Sequence, residues 1–248
     1  MTIFAIARHE LRRLYLTPLA WIILALVQFL LAIVFFTLLN NYLQLGAQQG
    51  VLGITNTVVA GALQSAGLIV LLAAPFLTMR LFSEERRSET LTLLMSAPVT
   101  VTELVLGKFL GMVTFFTCLL LLITLLPLSL LLGTSIDPGQ LACGLIGLFL
   151  LMCSISAIGL FMSTLSRQPP VAAASTFGVI FLLWIIHIAG ATGNERVSAV
   201  FSYLSLLRHF NNLLSGMFSS VDVIYYLLVI ITFILLGIWR LDALRTCS

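Results

Sequence analysis

Charged residues are scarce in this chain: they make up only 8% of its 248 residues, against about 25% in soluble proteins. The three histidines and four cysteines show neither the spacing of a metal site nor a disulfide framework. Asp137 and Asp222 are isolated at loop ends, which favours turn or capping roles. Gly107-Lys108 is followed by Phe109 where a phosphate-binding loop needs Ser or Thr. The basic residues form no single face, as a surface that binds nucleic acid would. From these observations together we predict no catalysis, no bound cofactor and no nucleic-acid partner.

Long apolar runs dominate what is present. Hydrophobic residues make up 60% of the chain, and the mean hydropathy is +1.16. The runs are continuous and reach the ~20 residues that a helix needs to cross a bilayer, whereas barrel strands alternate over ~10 residues. The sequence predicts an all-α polytopic integral membrane protein with one transmembrane domain over residues 1–248. The six predicted spans are 19–39, 58–79, 109–132, 141–165, 171–190 and 223–239. A polar loop without charge, residues 40–57, is predicted between the first two spans.

Two segments are predicted to lie outside the spans. Residues 1–18 carry an apolar stripe at helical spacing with arginines beside it, which is typical of an interfacial helix. Thr17-Pro18 then favours a helix start, and we expect a retained first span rather than a cleaved signal. Residues 191–222 hold Arg208 and His209 in mid-segment. A central Arg costs ~2.5–3.5 kcal/mol to bury in a bilayer, so we predict a periplasmic re-entrant hairpin with both residues at the periplasmic interface.

The basic residues set the expected orientation. With six spans, both termini lie on one side, and that side holds ten of the twelve Lys and Arg residues. They are Arg8, Arg12, Arg13, Arg80, Arg86, Arg87, Lys108, Arg167, Arg240 and Arg245. Because cytoplasmic loops carry the excess of basic residues, we predict cytoplasmic termini in a bacterial inner membrane.

The segment Arg80–Thr90 concentrates six charges between two apolar spans. Ser83 is predicted to cap a helix that runs to Ala97, with acidic residues in its first turn. Thr100 and Glu103 then fit a capping box before the third span. We predict that residues 80–108 form a cytoplasmic loop that contacts a soluble partner. The predicted contact residues are Ser83, Glu84, Glu85, Arg86, Arg87, Glu89, Leu91 and Leu94.

Polar residues within the spans are few. His187, Gln28 and Gln64 are candidates for intramembrane polar contacts, and bonding between helices is the simplest role for each. Gly107 and Gly111 form a GxxxG pair, which favours close helix packing. Ion-coupled transporters usually hold ionisable groups within their spans. The near-absence of such groups suggests that an associated ATPase supplies the energy.

Three segments carry a family resemblance: Pro75–Arg87, Ser96–Val99 and Leu106–Phe109. They resemble the membrane subunit of type-2 ABC transporters, and most of all the gliding-motility (GldF-like) permeases. The resemblance implies six spans, a homodimer or pseudo-dimer, and two ABC ATP-binding subunits that hold the ATP and Mg. It also implies that the loop helix from Ser83 to Ala97 is a coupling helix seated in the ATPase. An auxiliary protein with a large periplasmic domain and membrane lipids are further expected partners.

The favoured function is therefore a permease subunit that couples ATP hydrolysis in a partner to export or force transmission. Two alternatives remain at this point. A membrane scaffold that anchors a cytoplasmic complex would not depend on its partner's ATPase activity. An ion-coupled secondary transporter would depend on an intramembrane ionisable group, for which His187 is nearly the only candidate.

Overall fold

The structure, a computed structural model, describes residues 2–49, 53–90, 99–132, 134, 136–190 and 203–246. Within these ranges the chain is helical and has no β-strand. The helices are α1 (Thr2–Leu16), α2 (Pro18–Gln49), α3 (Ala60–Thr78), α4 (Arg80–Arg87), α5 (Val101–Ser129), α6 (Pro138–Leu165), α7 (Pro169–Gly190), α8 (Leu206–Leu214) and α9 (Ser220–Thr246). A π-helical turn, Thr55–Val59, precedes α3, and a 3-10 turn, Leu130–Leu132, follows α5.

Six helical segments of the described chain are long and apolar enough to cross a membrane. They are Pro18–Gln44, Thr55–Arg87, Val101–Ser129, Pro138–Leu165, Pro169–Ile186 and Ser220–Arg245. A helix satisfies its own backbone hydrogen bonds, so continuous apolar runs of this length fold as helices in lipid. The predicted all-α polytopic fold with six spans is confirmed.

Helix α6 lies at the centre of the bundle. In an apolar 18-residue stretch of its span 78% of the residues are buried, against 17–56% in the corresponding stretches of the other five spans. It packs against α3, α5, α7, α8 and α9. The approach to α3 is closest at Gly159, where a Cβ would lie 2.2 Å from Thr78 Oγ1. Only glycine leaves room for this contact, because interiors pack without spare volume.

The two ends of the bundle differ in charge. One end holds α1, α4, the turn at Ser166–Gln168 and the last turns of α9, and we call it the basic end. The opposite end holds α8 and the start of α6. There Gln140 Nε2 donates to the Leu214 carbonyl at 3.0 Å, and the Asp137 N–H donates to Thr55 Oγ1 at 3.2 Å.

Two predictions about helix ends meet different outcomes. The capping box is confirmed: the Glu103 N–H donates to Thr100 Oγ1 at 3.3 Å, and the Thr100 N–H donates to Glu103 Oε2 at 3.1 Å. The polar loop predicted for residues 40–57 is wrong, because α2 continues to Gln49. A helix with uncharged amide side chains can continue outside the hydrocarbon. Here two of these side chains bond along the helix, because Gln44 Nε2 donates to Asn40 Oδ1 at 3.3 Å.

The segment predicted as re-entrant is described only from residue 203. Helix α8 has 9 residues and so is ~13.5 Å long, too short to cross ~30 Å of hydrocarbon. It ends at Leu214 with Ser215 as its C-cap, and Gly216 follows with a φ of 82°. Residues 191–202 lie outside the described chain, so a periplasmic hairpin stays a prediction.

Candidate functional site

Helix α4 is anchored on the end of α6. The N–H groups of Phe82 and Ser83 donate to Ser163 Oγ at 2.8 and 3.0 Å. The Arg86 guanidinium donates to the carbonyl of Thr164. This carbonyl lies in the last turn of α6, where helix carbonyls lack partners of their own. Three contacts therefore fix α4 to the central helix at the basic end.

The predicted N-cap at Ser83 is wrong. Helix α4 begins at Arg80, and Ser83 lies inside it, fully buried. The helix ends at Arg87, with the Ser88 N–H donating to the Glu84 carbonyl at 3.0 Å. Glu89 follows with a φ of 56°, a left-handed conformation that favours glycine or asparagine. The predicted continuous helix to Ala97 is thus interrupted at residues 88–89.

Five charged side chains from three helices meet beside α4. Arg13 Nη2 of α1 lies 2.6 Å from Glu84 Oε2, and Arg13 Nη1 lies 3.5 Å from Glu85 Oε1. Lys108 Nζ of α5 lies 2.5 Å from the same Glu85 oxygen and 3.6 Å from Glu10 Oε2 of α1. We call Glu10, Arg13, Glu84, Glu85 and Lys108 the charge cluster. It joins α1, α4 and α5 through ion pairs.

Lys108 is the most deeply buried member of the charge cluster. Only 2% of its side chain is exposed. Its ammonium also donates to the Leu81 carbonyl at 2.5 Å and lies 4.8 Å from the centre of the Phe82 ring. A buried charge is tolerated only when it is paired and hydrogen-bonded. The two carboxylates and the carbonyl meet that need.

The GxxxG pair brings α1 to Lys108. A Cβ on Gly107 would lie 2.7 Å from Ile6 Cγ2, and one on Gly111 would lie 3.0 Å from the Ala7 carbonyl oxygen. Any larger side chain would push α1 away from α5. The expected packing role is therefore confirmed within one chain, and the absence of both side chains sets the distance at which Glu10 reaches Lys108.

Tyr15 fixes the end of α1. Its ring centre lies 5.5 Å from that of Phe115 in α5 and 5.8 Å from that of Trp21 in α2. Burial raises the pKa of Tyr15 to about 12, and a hydrogen bond with Cys118 adds to the shift. The phenol is therefore uncharged at neutral pH and contributes only packing and hydrogen bonding to the site.

Apart from Ser83, which is buried inside α4, the predicted contact residues of the loop fall into three groups. Glu84, Glu85 and Arg86 point into the chain, and all three have the internal partners given above. Arg87 and the turn up to Thr90 are exposed. Leu91 and Leu94 lie outside the described residues. Within the described part of the loop, residues 87–90 are thus the surface most open to another protein.

The structure corrects the expectation for His209. Its side chain is buried, with Nδ1 2.5 Å from Asp222 Oδ1 and Nε2 2.8 Å from the Tyr203 carbonyl oxygen. Stacking on Tyr225, with ring centres 4.1 Å apart, covers one face. His209 therefore faces no interface in this chain, whereas Arg208 is exposed. The interpretation of Asp222 as isolated is also wrong, since this carboxylate holds α8 against α9.

The two glutamines do bond between elements. Gln28 Nε2 of α2 donates to the Leu122 carbonyl of α5 at 3.3 Å. Gln64 Nε2 of α3 donates to Asn211 Oδ1 of α8 at 3.4 Å. His187 lies in α7, but its side chain is outside the described part of the structure. Its intramembrane contact stays a prediction.

Sequence reasoning missed three members of the charge cluster: Glu10, Arg13 and Lys108. Each was interpreted through local features, as part of an interfacial helix or as a basic loop end. A usable signal was present for Lys108, because it follows the first glycine of the GxxxG pair. A helix packed on those glycines has to accommodate the lysine next to them.

A family model described as ABC-2 family transporter protein matches residues 4–243. The chain belongs to the ABC-2 transporter family. No curated protein sequence matches it. As an ABC-2 permease, the chain is the transmembrane component of an ABC transporter, and its family implies association with an ABC ATP-binding subunit. Three members of the charge cluster of this ABC-2 protein, Glu84, Glu85 and Lys108, therefore lie within the loop that the resemblance assigns to that subunit.

Proposed function

We propose that this permease couples ATP hydrolysis in its partner subunit to export or force transmission across the bacterial inner membrane. ATP and Mg are held by the partner. The basic end faces the cytoplasm in this proposal, which rests on the ten-to-two distribution of Lys and Arg and on the positive-inside rule. Residues 80–108 then face the ATP-binding subunit.

The charge cluster is the observation that carries the proposal. Glu84 and Glu85 sit on α4, and their ion pairs extend to Arg13 on α1 and Lys108 on α5. Ser163 and Thr164 link the same helix to α6. A displacement of α4 by a docked ATPase therefore acts on α1, α5 and α6 together. Coupling requires such a path of contiguous contacts between the loop and the spans.

Docking and transmission use different residues in this proposal. The exposed turn at residues 87–90, together with Leu91 and Leu94, meets the ATP-binding subunit. Glu84 and Glu85 carry the displacement inward, because their carboxylates are already paired within the chain. This division sharpens the assignment made from sequence, which gave all eight residues the same role.

Finer features follow from the resemblance to gliding-motility permeases. They include a homodimer and an auxiliary protein with a large periplasmic domain. The resemblance does not fix a substrate, and the proposed lipid-linked or amphiphilic substrate rests on the composition of the spans. The nearly charge-free spans support such a substrate over a small ion.

The experiment separates docking from transmission. The tagged chain is purified from membranes of its own host, and the co-purifying ABC ATP-binding subunit and its Mg-ATP turnover are measured. Arg87→Glu with Glu89→Lys is expected to abolish co-purification. Arg13→Gln is expected to keep the wild-type stoichiometry but to lower turnover severalfold. Arg12→Gln, an exposed arginine next to it on α1, is the matched control.

Two results would contradict the proposal. The first is a wild-type chain that brings down no ABC ATP-binding subunit, which would favour the scaffold or the secondary transporter. The second is wild-type stoichiometry in the charge-swapped variant together with wild-type turnover in Arg13→Gln. That combination would remove both docking and transmission from the residues named here.

A further inference from the structure

Three arginines converge at the end of α6. Arg86 of α4 donates to the Thr164 carbonyl, and Arg167 follows three residues later in the turn after α6. Helices α6 and α9 both run toward the basic end. They approach each other where a Cβ on Gly237 would lie 3.3 Å from Leu160 Cδ2. One turn farther along α9, Arg240 is level with the last turn of α6.

The positive charge of these three arginines exceeds the negative charge of the described groups around them. Among the described residues, no carboxylate forms an ion pair with Arg86, Arg167 or Arg240. Arg167 and Arg240 are close enough for their charges to act against that of Arg86. The carbonyl end of α6 offers only about half a negative charge, and Arg86 already occupies it.

The guanidinium of Arg240 has one N–H group that lacks a hydrogen-bond acceptor within the described residues. Its Nε atom is buried and has no hydrogen-bond partner. Asp242 lies two residues farther, about 200° around the helix, so it projects from the other side of α9. A buried guanidinium N–H without an acceptor costs free energy, and an anion beside Arg240 would supply the acceptor.

The depth of the three arginines relative to the membrane surface indicates the source of that anion. Trp239, next to Arg240, is 71% exposed, and Leu165 at the end of α6 is 45% exposed. Tryptophan is enriched at the membrane–water interface, at the level of the lipid headgroups. The guanidinium fork matches phosphate oxygens with two parallel hydrogen bonds. A phospholipid presents its phosphate at this depth.

We infer that Arg86, Arg167 and Arg240 form a phosphate-binding site at the basic end, filled by the headgroup of an anionic phospholipid. The bound phosphate bridges α4, the turn after α6 and α9. It thereby ties the last span to the helix that carries Glu84 and Glu85. The inference does not depend on the proposed function, because lipid binding can be measured without ATPase or transport.

The test uses the full chain, purified in detergent and titrated with dioleoylphosphatidylglycerol under native mass spectrometry. Dioleoylphosphatidylcholine is the neutral control lipid. Arg167→Gln with Arg240→Gln is expected to weaken phosphatidylglycerol binding about 30-fold, from roughly fivefold per basic residue near the surface. Arg8→Gln with Arg12→Gln removes the same charge from exposed positions on α1 and is expected to leave the tightest site unchanged.

Several results would overturn the inference. One is equal affinity of the wild-type chain for the two lipids. Another is an equal loss of affinity for phosphatidylglycerol in the two double variants. Displacement of the lipid by millimolar inorganic phosphate would assign the site to free phosphate instead. If the double variant does not remain monodisperse, Arg167→Gln alone at its exposed position is expected to weaken binding about fivefold. Unchanged binding in that variant would also contradict the site.

Discussion

Replacing Lys108 by methionine tests the charge cluster most directly. Methionine is unbranched and only one atom shorter than lysine, but it removes the charge and the three donors. Glu10, which is 5% exposed, then loses its ammonium partner and keeps only Arg13, 3.9 Å away. Glu85 keeps its 3.5 Å contact to the same arginine. Three carboxylates would thus share one guanidinium.

The expected loss of stability follows from the burial of the ion pairs that Lys108 makes. Removing one partner of a buried ion pair typically destabilises a protein by ~3–5 kcal/mol. We place Lys108→Met at the lower end, about 3 kcal/mol, because Arg13 remains and Glu85 is 17% exposed on its side chain. For a chain of this length, each kcal/mol shifts the unfolding midpoint by about 2–4 °C. The variant should therefore unfold about 6–12 °C below the wild type.

The assay is thermal unfolding in detergent, monitored by tryptophan fluorescence. Lys108→Met with Glu85→Gln should recover part of the loss, because the second change removes one of the unpaired carboxylates. Arg12→Met, an exposed change on α1, is the control and should leave the midpoint unchanged. A midpoint for Lys108→Met within about 2 °C of the wild type would refute the structural role of the charge cluster.

Three further predictions follow from other contacts. Gly159→Ala should cost ~1–3 kcal/mol by overpacking and lower the unfolding midpoint, whereas Gly178→Ala, with nothing within 4 Å of its Cβ, should not. Asp222→Asn should release α8 from α9 and raise hydrogen exchange in α8; unchanged protection there would contradict the buried pair. In a cysteine-free background, a membrane-impermeant thiol reagent outside the inner membrane should label Gln48→Cys but not Arg87→Cys. The reverse pattern would invert the proposed orientation.

The spans were predictable because each corresponds to one continuous apolar run. No long-range contact is needed to make a run such as Val101–Ser129 helical in lipid. The end of α2 was missed for the same local reason. Asn40 and Gln44 are polar, which favours a loop by composition, but their side chains bond to each other along the helix.

The candidate site was less predictable because its contacts are distant in sequence. Ser83 has the side chain of a cap, yet Ser163, 80 residues later, accepts its N–H inside a continuous helix. Glu84 and Glu85 fit the first turn of a helix by local rules, but Arg13 lies 71 residues before Glu84. Charge pattern located the segment correctly; only the packing of α1 on α5 reveals which carboxylates face inward.

The packing of α1 also orders events during synthesis. The glycines that receive this helix, at positions 107 and 111, are translated about 5–20 s after α1, at ~5–20 residues per second. Glu84 and Glu85, the partners of Arg13, are made shortly before these glycines. The N-terminal helix is thus made first and docks only once α5 has begun to form. A nascent chain arrested before α5 would carry this helix undocked, with its apolar stripe available to lipid or to a chaperone.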